Sequence, residues 1–512
     1  MAALSLVTDL GMGHPPEEAL RACLFGTTLA RQMGLTEPDV AGVYYTTMLA
    51  HLGCTAAAHE AAAHFGGDDI AFRSATAGID FASPTEALRF SLFQVAKRAP
   101  PSKRARAIAT ALTRGSRIGE GLTNATCEVG ASMAGRLGLG AAVQAGVYQF
   151  FERWDGKGMP QHLVGDKIAA TARFAQIAVQ VLLFARLGGA QVALEVVRRR
   201  SGAAFDPGIA DIVLRHGLSM LNELSARDAW QACLEAEPEP RRRVEDSQID
   251  EVARVFADMV DLKTPFLHGH SSGVAALVEA AVRMVGFDQA AVATVRRAAL
   301  LHDLGRVGVP NGIWEKRGPL SAGEWEQVRL HAYHSERILS RSAALTPVAT
   351  MAGMHHERLD GSGYHRGITA ASLPAPARVL AAADAYHAMT EERAHRPALT
   401  RSEAARTLQD EAVAGKLDRE TVAAVLEAAG HPPGRTRAAW PASLTDREVE
   451  VLRLVARGRS NKEIAGRLVI SNHTVHHHVL HIYNKIGVST RAGAALFAMQ
   501  HDLLESRPEG TK

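Results

Sequence analysis

Apolar residues recur at three- to four-residue spacing along most of the chain, the period of a helix with one buried face, and strand signals are scarce. Ser/Thr-x-x-Glu capping boxes open several of these runs: Ser83/Glu86, Ser321/Glu324, Thr400/Glu403, Thr445/Glu448 and Ser460/Glu463. After Thr445, for example, Val449, Leu452 and Val455 follow at helical spacing. Ser471 or Asn472 caps a helix from about His473 to Ile486, and a last helix covers Arg491–Leu504. The segment Val307–Pro310 is at most a short extended piece. The apolar stretch Ala178–Ala185 reads as a buried helix, since no apolar run approaches the roughly 18 residues a membrane span needs. The pattern predicts an all-α protein.

Two stretches interrupt the pattern. Glu235–Ser247 is rich in charge and proline, and Gly430–Ser443 combines Pro, Gly and Arg, so both read as linkers. They predict domains over 1–234, 248–430 and 440–512, matching the three or so domains that 512 residues allow. The chain is 47% hydrophobic and 5% aromatic, which excludes a disordered or fibrous protein. A net charge of +3 is too small for the whole surface to bind nucleic acid, so any such binding is local. Cys23, Cys54, Cys127 and Cys233 form no CxxC pair, which argues against a disulfide scaffold or a thiolate zinc site. The N-terminus has no basic segment of the signal-peptide kind, and the expectation is a cytoplasmic protein without a membrane partner.

The first two domains read as copies of one another. HHERLDGSGYHRG (His355–Gly367) has a counterpart in FFERWDGKGMPQH (Phe150–His162) at an offset of 205. Carried forward, that offset sets Arg173 opposite Arg378 and Val179 opposite Asp384. AHLGC (Ala50–Cys54) echoes LHDLGR (Leu301–Arg306), and GHPPEEALRA (Gly13–Ala22) echoes GHSSGVAALV (Gly269–Val278).

In the second copy, potential ligands recur as His270, His302-Asp303, His331, His355-His356 and Asp384. Imidazole with carboxylate suits first-row divalent ions. Neighbours on a helix point about 100° apart, so His302 and Asp303 serve two ions if the carboxylate bridges them. The His355-His356 pair repeats the arrangement before a Gly-rich turn. Two ions about 3.5–4 Å apart activate water and neutralise phosphate charge, the chemistry of phosphoester hydrolysis.

The motifs AALLHDLGRVGVPNGIW, HAYHSERIL, MHHERLDGSGYHRG and PARVLAAADAYHAMTEERAHRPAL resemble, in order and spacing, the HD-GYP family of cyclic di-GMP phosphodiesterases, over about Asp258–Leu426. The resemblance implies the helical HD phosphohydrolase fold and a cyclic dinucleotide substrate. Its implied metal ligands are His270, His302, Asp303 as the bridge, His331, His355, His356 and Asp384. Arg306 takes the place of a lysine near the phosphate, giving it and Asp303 catalytic roles, while Tyr364, Arg393 and Arg396 would face substrate. His365 replaces the proline of the GYP triplet, and His387 a frequent aspartate. Phe266 occupies the position of a glutamate found in three-metal members, so the resemblance implies two divalent ions, iron, manganese or another.

In the first copy the same map leaves only His14 and His51 of the metal shell. Phe150-Phe151 replace the His-His pair, Leu52 the aspartate, Val179 the counterpart of Asp384, and Thr126 or Cys127 falls opposite His331. Two imidazoles without a carboxylate do not hold a bimetal site. The main reading is a degenerate packing partner, and the alternative is a sensor using the old pocket.

In the third domain, LTDREVEVL, SNKEIA, TVHHHV and NKIGVSTRA resemble the LuxR-type helix-turn-helix, a four-helix head whose third helix reads the major groove. The resemblance places His476, His477 and Leu480 toward the groove, and Thr474, Lys462 and Lys485 nearer phosphates. Ala495, Leu496, Met499 and Leu503 share one side of the last helix, a surface expected to pair two subunits into a homodimer. The whole reads as a DNA-binding transcriptional regulator with a metal-dependent phosphodiesterase domain. The alternative is a non-catalytic HD domain that senses a nucleotide and controls DNA binding.

Overall fold

The structure, a computed structural model, describes residues 1–97, 99–430 and 440–504. It is built from helices, with isolated β-bridges in place of sheets among the described residues. The chain divides into two compact units, Met1–Glu251 with Pro310–Gly312, and Val252–Val309 with the chain from Ile313 onward.

The expected linker Glu235–Ser247 ends one helix at Ala236, begins the next at Asp246, and leaves 237–245 without helix. The second expected linker, Gly430–Ser443, lies mostly outside the described residues, as does the tail from 505. Four of the five capping boxes close on both sides: Ser321/Glu324, Thr400/Glu403, Thr445/Glu448 and Ser460/Glu463. The fifth is half formed. Ser83 accepts from the Glu86 amide, but the Glu86 carboxylate accepts from the Asp80 amide and faces Arg199 and Arg200 instead.

In the first unit, helix Ala170–Gly188 packs against helices Glu18–Gln32, Glu37–Met48, Ala141–Tyr148 and Ala190–Arg200. It is longer than the stretch read from sequence and, by length and composition alone, apolar enough to cross a membrane. Here Phe174, Ile177, Ala178 and Val181 are buried in the unit's core. All four cysteines are buried thiols outside any disulfide.

In the second unit, helix His270–Val285 packs against Gln289–Leu301, Ala375–Thr390 and Arg419–Ala428. Val274, Val278, Val282, Val295, Ala298, Val379, Ala382 and Ala383 fill the space between them. Small residues on facing sides let the ligand-bearing helices approach closely. Val307–Pro310 is a 3-10 turn, Leu304–Gly308, leading into an extended Val309.

The repeat is visible in the local structure, residue for residue at the offset of 205. Bridges Asp155↔Val164 and Asp360↔Thr369 correspond, as do the 3-10 turns Gly165–Lys167 and Ala370–Ser372. Glu152 accepts from the amides of Gln161 and Leu163, and Glu357 accepts from those of Arg366 and Ile368.

The C-terminal head has four helices: Asp446–Ala456, Asn461–Leu468, Asn472–Ile486 and Arg491–Gln500. Ser471, rather than Asn472, caps the third. The last stops at Gln500, short of the expected Leu504. Its supposed dimer stripe is consumed inside the head. Ala495, Leu496, Met499 and Leu503 are all at most 3% exposed, because this helix closes the bundle on Asp446–Ala456. Arg459 of the head pairs with Glu392 through both carboxylate oxygens, at 2.5 and 2.6 Å.

Candidate metal centre

His302 and Asp303 end helix Gln289–Leu301 and enter the 3-10 turn, where Gly305 lies under helix Ala322–Leu339. A Cβ on Gly305 would meet the carbonyl oxygen of His331 at 2.0 Å, so only glycine lets the two ligand-bearing elements touch. Ser335 ties them together: its hydroxyl accepts from the Gly305 amide at 2.9 Å and donates to the His331 carbonyl at 3.1 Å. His270 begins its own helix, whose start is held by Asp261 accepting from the amide and hydroxyl of Ser271.

The structure brings all seven expected ligands together, six of them buried and His356 nearly so. Asp303 lies between two groups and turns one oxygen to each. Its Oδ2 is 3.6 Å from His270 Nε2 and 3.1 Å from His302 Nε2. Its Oδ1 is 3.3 Å from His331 Nε2 and 3.5 Å from His355 Nε2. Asp384 joins the first group, 3.2 Å from His270 Nε2, and faces His356 Nδ1 at 3.6 Å. The sets His270/His302/Asp384 and His331/His355/His356 each cluster tightly enough to hold one ion.

The inner nitrogens of the tethered imidazoles face the centre, His331 Nε2 lying 3.1 Å from His355 Nε2. His302 and His355 donate through Nδ1 to the carbonyls of Ala299 and Ala352, at 2.7 and 2.6 Å. His331 does the same to Val328. A carbonyl only accepts, so Nδ1 carries the hydrogen and the Nε2 lone pair faces the centre. His270 Nδ1 lies 2.9 Å from a Glu391 oxygen, which fixes its ring likewise. His270 Nε2, His302 Nε2, Asp303 Oδ1 and Asp384 Oδ1 are buried without a hydrogen-bond partner. Buried polar atoms are rarely left so, and four of them converging on one space fit a divalent metal site.

The electrostatics agree with that chemistry. Burial opposes charge on Asp303 and Asp384, but Arg306 and His302 around the first, and His270 and His356 around the second, hold both carboxyls well below the usual range. Burial pushes His355 down to about 4 and lowers His356 as well. On His302, burial is outweighed by Asp303 and Asp384, which raise it. Ionised carboxylates beside the neutral imidazoles of His355 and His356 are protonation states that bind metal.

Arg306 is buried, its Nε 2.6 Å from Asp303 Oδ2 and its guanidinium 4.9 Å over the Trp314 ring. The Tyr364 ring lies 4.6 Å from that of His356 and borders a cavity of about 480 Å³, lined also by Arg329, Tyr333, His365 and Arg366. Arg393 and Arg396, expected to face substrate, are spent on their own turn. Arg393 donates to the Phe266 carbonyl and pairs with Glu391. Arg396 donates to the carbonyls of Ala388, Met389, Glu391 and Pro397, capping the helix that bears Asp384.

Two residues escaped the sequence reading. Glu391 lies one turn beyond His387 at a helix end, a signal only in hindsight. Glu357 was legible, because it is identical in both repeats (Glu152), yet it holds the loop rather than a ligand.

The first unit shows how such a centre is lost. A Cβ on Gly53 would meet the Thr126 carbonyl at 2.0 Å, as one on Gly305 meets that of His331. That pairing sets Thr126 opposite His331 and shifts the expected correspondence by one residue: His51 matches Asp303, and Ala50 matches His302. Ala50, Phe150, Ala175 and Val179 form one apolar cluster where the second unit has its ligands. His14 survives at the position of His270. Burial pushes His14 down to about 4 and His51 down to about 3.

In the head, Lys462, Thr474, His476, His477 and Leu480 are exposed. Lys485 is exposed too, with its ammonium 2.7 Å from the Glu448 carboxylate.

Residues 254–421 match the HD domain family, and residues 442–498 match the luxR family of bacterial regulatory proteins. The 3'3'-cGAMP-specific phosphodiesterase 3 of Vibrio cholerae is 30% identical over 433 residues, covering 84% of this chain and 93% of that protein. A cyclic di-GMP phosphodiesterase of Thermotoga maritima is 34% identical over 183 residues, covering 35% of this chain and 48% of that protein. A crystal structure of a V. cholerae cyclic GMP-AMP-specific phosphodiesterase superposes with a TM-score of 0.57 at 27% identity, covering 84% of this chain and 97% of that one. This chain therefore belongs to the HD-GYP family, with a luxR-family domain following its HD domain.

Proposed function

We propose that the second domain is a metal-dependent phosphodiesterase that opens a 3',3'-cyclic dinucleotide, and that the head binds DNA, making the protein a cytoplasmic transcriptional regulator. The observation that supports the enzymatic half is Asp303, with one oxygen turned toward each of two ligand groups. His270, His302 and Asp384 would hold one ion, His331, His355 and His356 the other, and Asp303 both. When bound, two divalent ions supply Lewis-acid neutralisation of phosphate charge and a more acidic water.

The chain's own residues do the rest. The carbonyl-tethered imidazoles present lone pairs without reorganisation. Arg306 holds a fixed positive charge beside Asp303 for the scissile phosphate. Tyr364, at the rim, offers an aromatic face next to His356. The wall of nonpolar helices keeps bulk water from the ligand shell. Relatives named for 3'3'-cGAMP and for cyclic di-GMP make these two the substrates to compare.

The test is to incubate metal-loaded full-length protein with each dinucleotide and look for linear product. Cleavage of at least one, lost in Asp303→Asn, is expected. Tight dinucleotide binding without linear product would replace the enzyme with a nucleotide sensor, a reading favoured by Arg306 already occupying Asp303 Oδ2. For the head, the exposed face of helix Asn472–Ile486 supports groove reading. A homodimer reading two half-sites would pair through a surface other than the buried stripe of the last helix.

A further inference from the structure

Five of the chain's 23 histidines fall within nine residues, at positions 473, 476, 477, 478 and 481. His473, His477 and His481 recur every fourth residue and so form one stripe on helix Asn472–Ile486. All three are exposed, while Val475, Val479 and Ile482 bury the opposite side. Packing therefore does not account for the stripe.

The ring geometry has a direct chemical meaning. The His473 and His477 centroids are 4.6 Å apart at 56°, and those of His477 and His481 are 6.5 Å apart at 86°. Two imidazoles one turn apart on a helix are a standard transition-metal chelate. Metal–nitrogen bonds of about 2.0–2.1 Å in a tetrahedral site put the two ring centroids roughly 5 Å apart. Imidazole selects zinc, nickel or copper over magnesium and calcium.

We propose that this stripe is a second metal site, separate from the HD centre, in which His473 and His477 chelate one divalent transition ion. His477 also belongs to the face expected to enter the major groove. A ring nitrogen held by an ion does not hydrogen-bond a base edge, so metal and specific DNA compete for it. The competition rests on the DNA-reading role of the head, whereas the metal site does not.

The experiment titrates Zn²⁺ into untagged, metal-depleted full-length protein against a chromophoric chelator. It compares wild type, His473→Gln/His481→Gln and, as an off-stripe control, His478→Gln. The stripe residues are exposed, so the double variant leaves the head's core intact. Wild type and the control are expected to hold one more zinc equivalent than the double variant, or to hold it at least tenfold more tightly. Equal zinc binding by all three overturns the site. The DNA arm uses a duplex selected from a random pool by metal-depleted wild type in chelator. Zinc at saturation of the extra equivalent is expected to weaken that complex at least tenfold in wild type and not in the double variant. Equal zinc sensitivity overturns the competition, and failure to select any duplex refutes the DNA-reading role while the zinc count still decides the metal site.

Discussion

Four of the five imidazoles at the HD centre are aimed by their outer nitrogens. Three of those nitrogens are tethered to backbone carbonyls of their own helices. His270 relies on a side chain, Glu391, whose own carboxyl is held low because His270 and Arg393 outweigh its burial. Losing such an outer partner typically costs 10–100-fold in metal affinity. Glu391→Gln is therefore expected to weaken one of two ions by that factor and leave the other unchanged, as read by competitive metal titration. In the first unit, His14 and His51 titrate near 6.5 when unfolded but near 4 and 3 when buried. The unfolded chain then binds more protons below 6.5, so the folded state loses stability as pH falls from about 6.5 toward 4. A thermal melt series should show this acid limb for the first unit, and His51→Phe should flatten it. The candidate ligands themselves were legible as a set, because five histidines and two aspartates meet one spacing. The roles of Arg393 and Arg396 were not, because a basic pair after a helix reads the same whether it faces substrate or caps the helix.

At the scale of elements, glycine and serine decide whether the ligand-bearing pieces meet. Gly305→Ala places a methyl 2.0 Å from the His331 carbonyl. Overpacking of this kind costs about 1–3 kcal/mol, and it should also lower metal affinity by moving His331. Ser321→Ala removes an N-cap of the same helix, for about 1 kcal/mol, and should leave metal binding intact. Chemical denaturation alongside metal titration separates the two. Capping boxes were read well from sequence because both partners lie three residues apart. The half-formed box at Ser83 failed because Glu86 found arginines more than a hundred residues away. The last helix misled for a related reason: an apolar stripe announces burial, but the sequence does not say whether the partner is a second subunit or the head's own first helix.

For the molecule as a whole, duplication followed by divergence accounts for two units with one frame and one set of ligands. The loop bridges, 3-10 turns and buried glutamates repeat at a single offset, while Ala50, Phe150 and Val179 close the old cavity with carbon. Metal should consequently stabilise only the second unit, by about 2.7 kcal/mol at a hundred times the dissociation constant. In a calorimetric scan, one transition is expected to move up with manganese or iron while the other stays. The frame was legible from the repeat itself. The one-residue shift around Gly53 was not, since only the close approach to Thr126 reveals it.

The most direct measurement is anomalous diffraction from crystals of the protein loaded with manganese or iron, recorded at that metal's absorption edge. Two peaks are expected in the HD domain, one among His270, His302 and Asp384, the other among His331, His355 and His356, with Asp303 between them. A single peak, or none in that space, would contradict the paired-ion centre.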